Sequence, residues 1–97
     1  MNDRINTCKI SCTLTCTPHS EKRYPNYLFF EATQNWVEFR KFKRKFNCIV
    51  VVKTKKLKDI VSTLTEGDSV VVEGFLYSRY KGKFMQTYIE AVNINKI

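Results

Sequence analysis

Ser69-Val70-Val71-Val72-Glu73-Gly74-Phe75-Leu76-Tyr77-Ser78-Arg79-Tyr80, followed at once by Lys81-Gly82-Lys83, is the stretch on which the fold turns. Val70, Val72, Gly74 and Leu76 alternate with Val71, Glu73, Phe75, Tyr77 and Arg79, the two-residue period of a strand with one apolar face. Lys81-Gly82-Lys83 turns the chain back into a second strand over Phe84 to Ile94. There Ile89 and Ala91 share the inward face, while Phe84, Gln86 and Tyr88 point the other way. Gly74 has no side chain, which suits a bend where two strands of a barrel approach closely.

Upstream of this pair lies the one convincing helix. Leu57, Ile60, Val61 and Leu64 fall at i, i+3, i+4 and i+7, with Lys55, Lys56, Lys58 and Asp59 off that stripe. Gly67, able to adopt a left-handed conformation, is expected to end it. Three further strands precede the helix: Ile5 to Thr17, Tyr24 to Thr33 and Phe46 to Lys53. A polar loop, Pro18 to Arg23, joins the first two, and a charged, aromatic connection from Trp36 to Lys45 joins the next pair. Five strands with one helix between the third and fourth is the element order of the OB-fold, an all-β, partly open Greek-key barrel. The 97 residues hold no repeat or linker, so residues 1–97 read as one OB-fold domain.

Four cysteines admit three readings: disulfides, metal ligands or small core residues. Met1-Asn2-Asp3-Arg4 contains no apolar signal region, which leaves secretion unsupported and makes a reducing, cytoplasmic setting the expectation. Cys8, Cys12, Cys16 and His19 are spaced without the paired C-x2-C knuckles of most structural zinc sites. Cys8, Ile10, Cys12, Leu14 and Cys16 instead alternate with Lys9, Ser11, Thr13 and Thr15, which favours a core strand with no metal or cofactor. His19 is expected to be solvated in its polar loop. The longest apolar run, Ile49-Val50-Val51-Val52, falls far short of the ~20 residues of a membrane span.

The formal charge is +8, from 17 Lys and Arg against 9 Asp and Glu. Arg40, Lys41, Lys43, Arg44, Lys45, Lys53, Lys55, Lys56 and Lys58 fall in a stretch without a single acid, a concentration suited to an extended polyanion. Its first part threads the cations among Trp36, Phe39, Phe42 and Phe46. Rings beside cations are what a single strand of nucleic acid requires, because bases stack and phosphates need countercharge. The blander account packs two of these rings onto the barrel and leaves the rest as ordinary exposed aromatics. A second patch places Phe75, Tyr77, Arg79, Phe84 and Tyr88 outward on the last two strands, with Tyr80, Lys81 and Lys83 near their turn. Phe75, Phe84 and Tyr88 could equally form a dimer seam. Lys22 and Arg23 occupy a loop where OB-folds often meet ligand. No phosphate-cradling glycine loop, nucleophile elbow or carboxylate pair is present, so an enzyme is not expected.

Glu66-Gly67-Asp68-Ser69-Val70-Val71-Val72-Glu73-Gly74-Phe75-Leu76, with Ile89-Glu90-Ala91-Val92-Asn93-Ile94, resembles the C-terminal half of bacterial single-stranded DNA-binding proteins. Phe42-Lys43-Arg44-Lys45-Phe46-Asn47-Cys48 resembles a segment of the primosomal replication protein N (PriB) family within that superfamily, as does Ser11-Cys12-Thr13 followed by Pro18, although Cys12 replaces the usual glycine. The resemblance implies an OB-fold homodimer that binds single-stranded DNA in replication restart, in contact with the PriA helicase. It also implies that Phe42 and Arg44 lie on the DNA-binding surface, with Lys22 or Arg23 as a basic contact. Asn47 stands where the family has a stacking tryptophan, so that contact is lost or displaced onto Phe46 or Trp36. The chain stops at Ile97 without the linker and acidic tip of ordinary single-stranded DNA-binding proteins, which favours the PriB-like branch. An RNA-binding OB-fold protein and an OB-type protein-interaction subunit are the alternative readings.

Overall fold

The computed structural model describes residues 6–97. Its elements are β1 (Cys8–Leu14), β2 (His19–Glu21), β3 (Tyr24–Glu38), β4 (Phe42–Val52), α1 (Lys55–Val61), β5 (Ser69–Lys81) and β6 (Phe84–Lys96). Hydrogen-bonded neighbours run β1-β5-β6-β4-β3-β2, and a further pairing of β1 with β3 closes the barrel through Thr13↔Thr33 and Leu14↔Ala32. Every ladder is antiparallel except β4–β6, which is parallel over Ile49↔Tyr88, Val50↔Ile89 and Val51↔Glu90. With the short β2 set aside, five strands and a helix between the third and fourth stand in the order expected.

The inward alternation of β5 is as expected at Val70, Val72 and Gly74, and β6 answers it with Ile89, Ala91 and Ile94. The change of parity between Ala91 and Ile94 comes from a bulge. Glu73 faces Asn93 but Gly74 faces Ala91, so Val92 is a surplus residue, 59% exposed. At this bend a side chain on Gly74 would place its Cβ 2.0 Å from the Glu90 carbonyl oxygen. Only glycine fits there, for the reason the sequence suggested.

Three boundaries differ from expectation. The first strand is shorter, and its expected start at Ile5 lies outside the described residues. Beyond Leu14 the chain leaves β5, and the Thr15 N–H donates to Glu31 while Cys16 Sγ accepts from the Glu31 N–H. The connection from Trp36 to Lys45 is mostly not a loop. β3 and β4 remain paired out to Glu38↔Phe42, which leaves 39–41 as the turn. Both faces of this arm meet solvent along much of its length, so no apolar alternation announces it. The segment read as a polar loop contains β2, whose three residues are all exposed and pair through the backbone with β3.

The helix too ends earlier than Gly67. Thr54 caps its start by accepting from the Leu57 N–H. After Val61 the Ser62 and Thr63 hydroxyls donate back to the carbonyls of Asp59 and Ile60, consuming acceptors that a further turn would need. Gly67, at φ 93°, instead shapes the turn into β5, with its N–H donating to Leu14 and the Asp68 carbonyl accepting from the Leu14 N–H.

Phe30, Leu14, Ile89, Ile94, Val50, Val52, Val70 and Val72 fill the barrel, with Leu57, Val61 and Leu64 completing the core from the helical side. Cys12 and Cys48 are buried in that core, while Cys8 and Cys16 pack at its margin, and all four are free thiols. Burial pushes the Cys12 thiol up to about 11 and Cys48 up to about 12, the latter helped by its neighbours Cys12 and Cys8.

Gly74→Ala is expected to lower stability by about 3 kcal/mol, seen as a fall in melting temperature of roughly 10–20 °C; an unchanged melting temperature would show that the strands can part there. A thiol reagent at pH 8 should modify Cys8 and Cys16 first, and Cys12 and Cys48 only at the rate of unfolding. Because the two buried thiols have folded pKa values above the ordinary thiol value, their stabilising contribution is complete below about pH 9 and is lost as pH rises toward their folded values. Thermal denaturation from pH 8 to 10.5 should therefore fall less steeply in a Cys48→Val variant than in the wild type.

Candidate nucleic-acid interface

Cross-strand register decides which side chains of the β3–β4 arm act together. Gln34↔Phe46, Trp36↔Arg44 and Glu38↔Phe42 are direct partners, so Trp36, Phe42, Arg44 and Phe46 share one face. Lys43 and Lys45 belong to the other. Trp36 is 45% exposed and Phe42 52%, and the Arg44 guanidinium lies 5.4 Å from the Phe42 ring centroid. Phe46, at the root of this face, is half-buried against the core and serves packing first. Of the four rings singled out from the sequence, three are thus presented to solvent.

At the tip, Phe39 is 79% exposed and has φ 53°, followed by Arg40 at φ 59°. Both sit in left-handed backbone, which costs a non-glycine residue roughly 1–2 kcal/mol. Among the described residues no other non-glycine side chain has positive φ. A large ring held outward at that cost, with exposed Arg40 and Lys41 beside it, is not explained by packing.

The run of cations from Arg40 to Lys58 does not form one patch. Arg40 to Lys45 lie on the arm, whereas Lys53 follows the far end of β4, roughly 25 Å from Lys45 at about 3.3 Å per strand residue. Lys55 and Lys56 are exposed at the start of α1, and Lys58 donates to the Asn26 carbonyl at 2.8 Å, tying the helix to β3. What joins the two ends is the outward face of β4: Lys43, Lys45, Asn47, Ile49 and Val51 at alternate positions, then Lys53. Past their three-residue seam β4 and β6 splay apart, opening a groove of about 500 Å³ whose lining includes Lys45, Asn47, Ile49, Met85, Gln86 and Thr87. Asn47 is exposed in that groove, at the position where the family resemblance leads one to look for a stacking ring.

The β5–β6 hairpin forms the other wall. Its register sets Tyr77 against Tyr88 and Arg79 against Gln86, on the outward face expected from the sequence. Tyr77 and Tyr88 stack, with centroids 5.2 Å apart and an interplanar angle of 11°. Phe84 lies on the same side, and Tyr80, opposite Met85, on the other; both are highly exposed, as are Lys81 and Lys83 beside the turn. Lys22 and Arg23 occupy the turn between β2 and β3, and the Arg23 guanidinium lies 6.0 Å from the Tyr24 ring centroid.

Sequence reasoning missed the most organised part of this surface. Tyr24 and Tyr27 stack at 5.8 Å and 11°, beside Phe29. Together with the Tyr77–Tyr88 pair they cover Val51 and Phe29, which are 2% and 7% exposed although they lie outside the barrel core. Lys53 pairs with Glu90 and stands 5.2 Å from the Tyr27 centroid. The Glu90 carboxylate raises the Lys53 pKa above the ordinary lysine value, and burial raises that of Tyr77. The available signal was the spacing Tyr24-x2-Tyr27-x-Phe29, three rings in a strand already read as aromatic-rich, but assigning them a face needs the register Phe29↔Val51.

Three solved structures share the whole architecture. A small single-stranded DNA-binding protein from Streptomyces coelicolor matches with a TM-score of 0.74 at 19% identity, over 100% of this chain and 94% of that one. The fold is an OB-fold. A Plasmodium falciparum single-stranded DNA-binding protein, in complex with single-stranded DNA, matches with a TM-score of 0.67 at 16% identity, covering 100% and 97% of the two chains. A small single-stranded DNA-binding protein from Mycoplasma pneumoniae gives a TM-score of 0.70 at 13% identity over 95% and 93%. No family model and no curated protein matches the sequence. No described helix is long and apolar enough to cross a membrane.

Phe29→Ala should cost about 3 kcal/mol in urea unfolding, the loss of a core phenylalanine, despite its place outside the barrel. A loss below about 1 kcal/mol would show that the tyrosine layer does not pack as a second core.

Proposed function

We propose that this OB-fold chain binds single-stranded DNA along the outward face of β4, by electrostatic contacts to phosphates and by stacking of bases on exposed rings. The observation that carries the reading is the alternation of Lys43, Lys45, Asn47, Ile49, Val51 and Lys53 on one face, between two ring-bearing hairpins. Cations at its two ends bracket a middle that is uncharged on β4 itself, with Glu31 of β3 beside Ile49 and Glu90 of β6 beside Val51. Phosphates are thus held at the ends while the bases turn toward the protein between them. On the same face Tyr77 and Arg79 line the β5–β6 hairpin, with Lys81 and Lys83 at its turn. Trp36 and Phe42 lie on the reverse face of the β3–β4 arm and Tyr80 on the reverse face of the hairpin, so a strand meets them, and Phe39 at the tip, by wrapping round the ends of the two arms. A duplex could not use the rings without unstacking its own bases. The single-stranded DNA-binding proteins that share the fold support the same ligand. The activity is binding, without catalysis.

Within this reading we place the chain in replication restart, as a PriB-like homodimer acting beside the PriA helicase. The support for that finer assignment is the resemblance of Phe42 to Cys48, and of Ser11-Cys12-Thr13 followed by Pro18, to the PriB family.

Fluorescence anisotropy with labelled dT, U and duplex oligomers across a salt series tests the reading. Single-stranded dT should bind in preference to duplex, with log K falling against log salt by about 0.7 per phosphate neutralised. Lys43→Ala/Lys45→Ala should flatten that slope by about 1.4. Trp36 fluorescence should be quenched as dT is added. Phe39→Gly is expected to weaken dT binding about fivefold or more while leaving the melting temperature unchanged or higher, because glycine relieves the left-handed backbone. Equal affinity for duplex and single strand, or tighter binding of U than dT, would overturn the assignment to single-stranded DNA.

A further inference from the structure

The tyrosine layer at the Lys53 end of β4 is more than a cover for Val51 and Phe29. Tyr24 and Tyr27, stacked on one another, stand on the β3 side, and Tyr77 and Tyr88, also stacked, stand on the β5–β6 side. Between them lies a slot of about 170 Å³ floored by Phe29 and Val51. Pockets for whole small ligands run roughly 300–1,000 Å³, so this one suits a single flat ring system. The four rings remain half-exposed, and a planar group entering the slot meets aromatic surface on both sides.

A cation stands at each end of the slot. At one, Arg79 of β5 lines it together with Tyr24 of β3. At the other, Lys53 Nζ lies 2.5 Å from the Glu90 carboxylate of β6 and 5.2 Å from the Tyr27 ring centroid. A base and its phosphate are joined through one sugar, so a cation this close to a stacking ring is within reach of the phosphate of a base seated on it. In the unliganded chain that cation is already occupied. Glu90 holds it with the same charge that a phosphate would bring.

We propose that this slot takes one nucleotide of a single strand, with the base between the tyrosine pairs and the phosphate on Lys53 in place of Glu90. Glu90 is then an internal competitor that weakens binding and lets the strand leave. The proposal rests on the single-strand reading given above. It adds a site, and a residue whose removal strengthens binding.

The test uses the full chain, a labelled dT oligomer, an abasic oligomer of equal length, and anisotropy over a salt series. Glu90→Gln preserves shape and removes the competing charge. It should tighten dT binding by about two- to fivefold, the range of one partly exposed ion pair. It should also steepen the salt slope by up to about 0.7, because the phosphate on Lys53 gives up its condensed counterion with no displaced Glu90 carboxylate left to take a cation back. In a Lys53→Met background the same change should give little gain. Tyr27→Leu should weaken dT about fivefold or more while leaving the abasic oligomer nearly unaffected. The site is overturned if Glu90→Gln leaves affinity and slope unchanged, if its gain persists without Lys53, or if Tyr27→Leu weakens both oligomers alike. Those failures, with wild-type dT binding intact, leave the β4 reading standing. A wild-type chain that does not bind dT at all overturns that reading, and the site with it.

Discussion

Three residue pairs form the seam on which the surface depends: Ile49↔Tyr88, Val50↔Ile89 and Val51↔Glu90, the parallel contact between β4 and β6. Parallel pairing is slightly weaker per residue than antiparallel pairing, and this seam is short. Its middle pair is fully buried, so the seam is held by the core behind it as much as by its own ladder. Its brevity has an effect on each side. Toward the turns the two hairpins are released to diverge, and the groove beside Asn47 opens. In the other direction the seam brings Tyr88 and Glu90 up to Val51 and Lys53, and so assembles the tyrosine slot from strands distant in sequence.

Much of the fold was legible because inward faces alternate wherever a strand crosses the core. Val70, Val72 and Gly74, the helical stripe Leu57-Ile60-Val61-Leu64, and the turn at Gly82 needed only local patterns. What escaped had no face to show. β2 is polar on both sides, and the outer half of the β3–β4 arm projects beyond the core. Gly67 misled for a different reason: two hydroxyl side chains ended the helix before it, and its left-handed backbone serves the next turn.

The candidate site divides along the same line. The arm announced itself through the density of rings and cations in one continuous stretch, and its exposed Trp36, Phe39 and Phe42 are where that reading put them. The slot could not be found so, because its tyrosines come from 24 and 27 on one side and 77 and 88 on the other, and only strand order makes them neighbours. Charge was misleading in a complementary way. Residues 40–58 look like one basic block along the chain, yet a strand through the barrel separates its halves, Glu90 engages Lys53, and the Asn26 carbonyl engages Lys58. Linear density measured the number of cations correctly and their arrangement not at all.

The surplus residue at Val92 separates two properties that usually travel together in a strand. Counting past it, Ile89, Ala91 and Ile94 face inward because of the bulge; with Val92 deleted, the remaining residues would fall into plain alternation and direct the same three side chains inward. The hydrophobic pattern would therefore survive the loss, while the bend against Gly74 would not. In this barrel the pattern says which residues are inside, and one residue outside the pattern lets the sheet curve. In the sequence the bend is therefore marked by a break in hydrophobic parity between Ala91 and Ile94, and a strand of unbroken alternation would carry the same inward side chains without it.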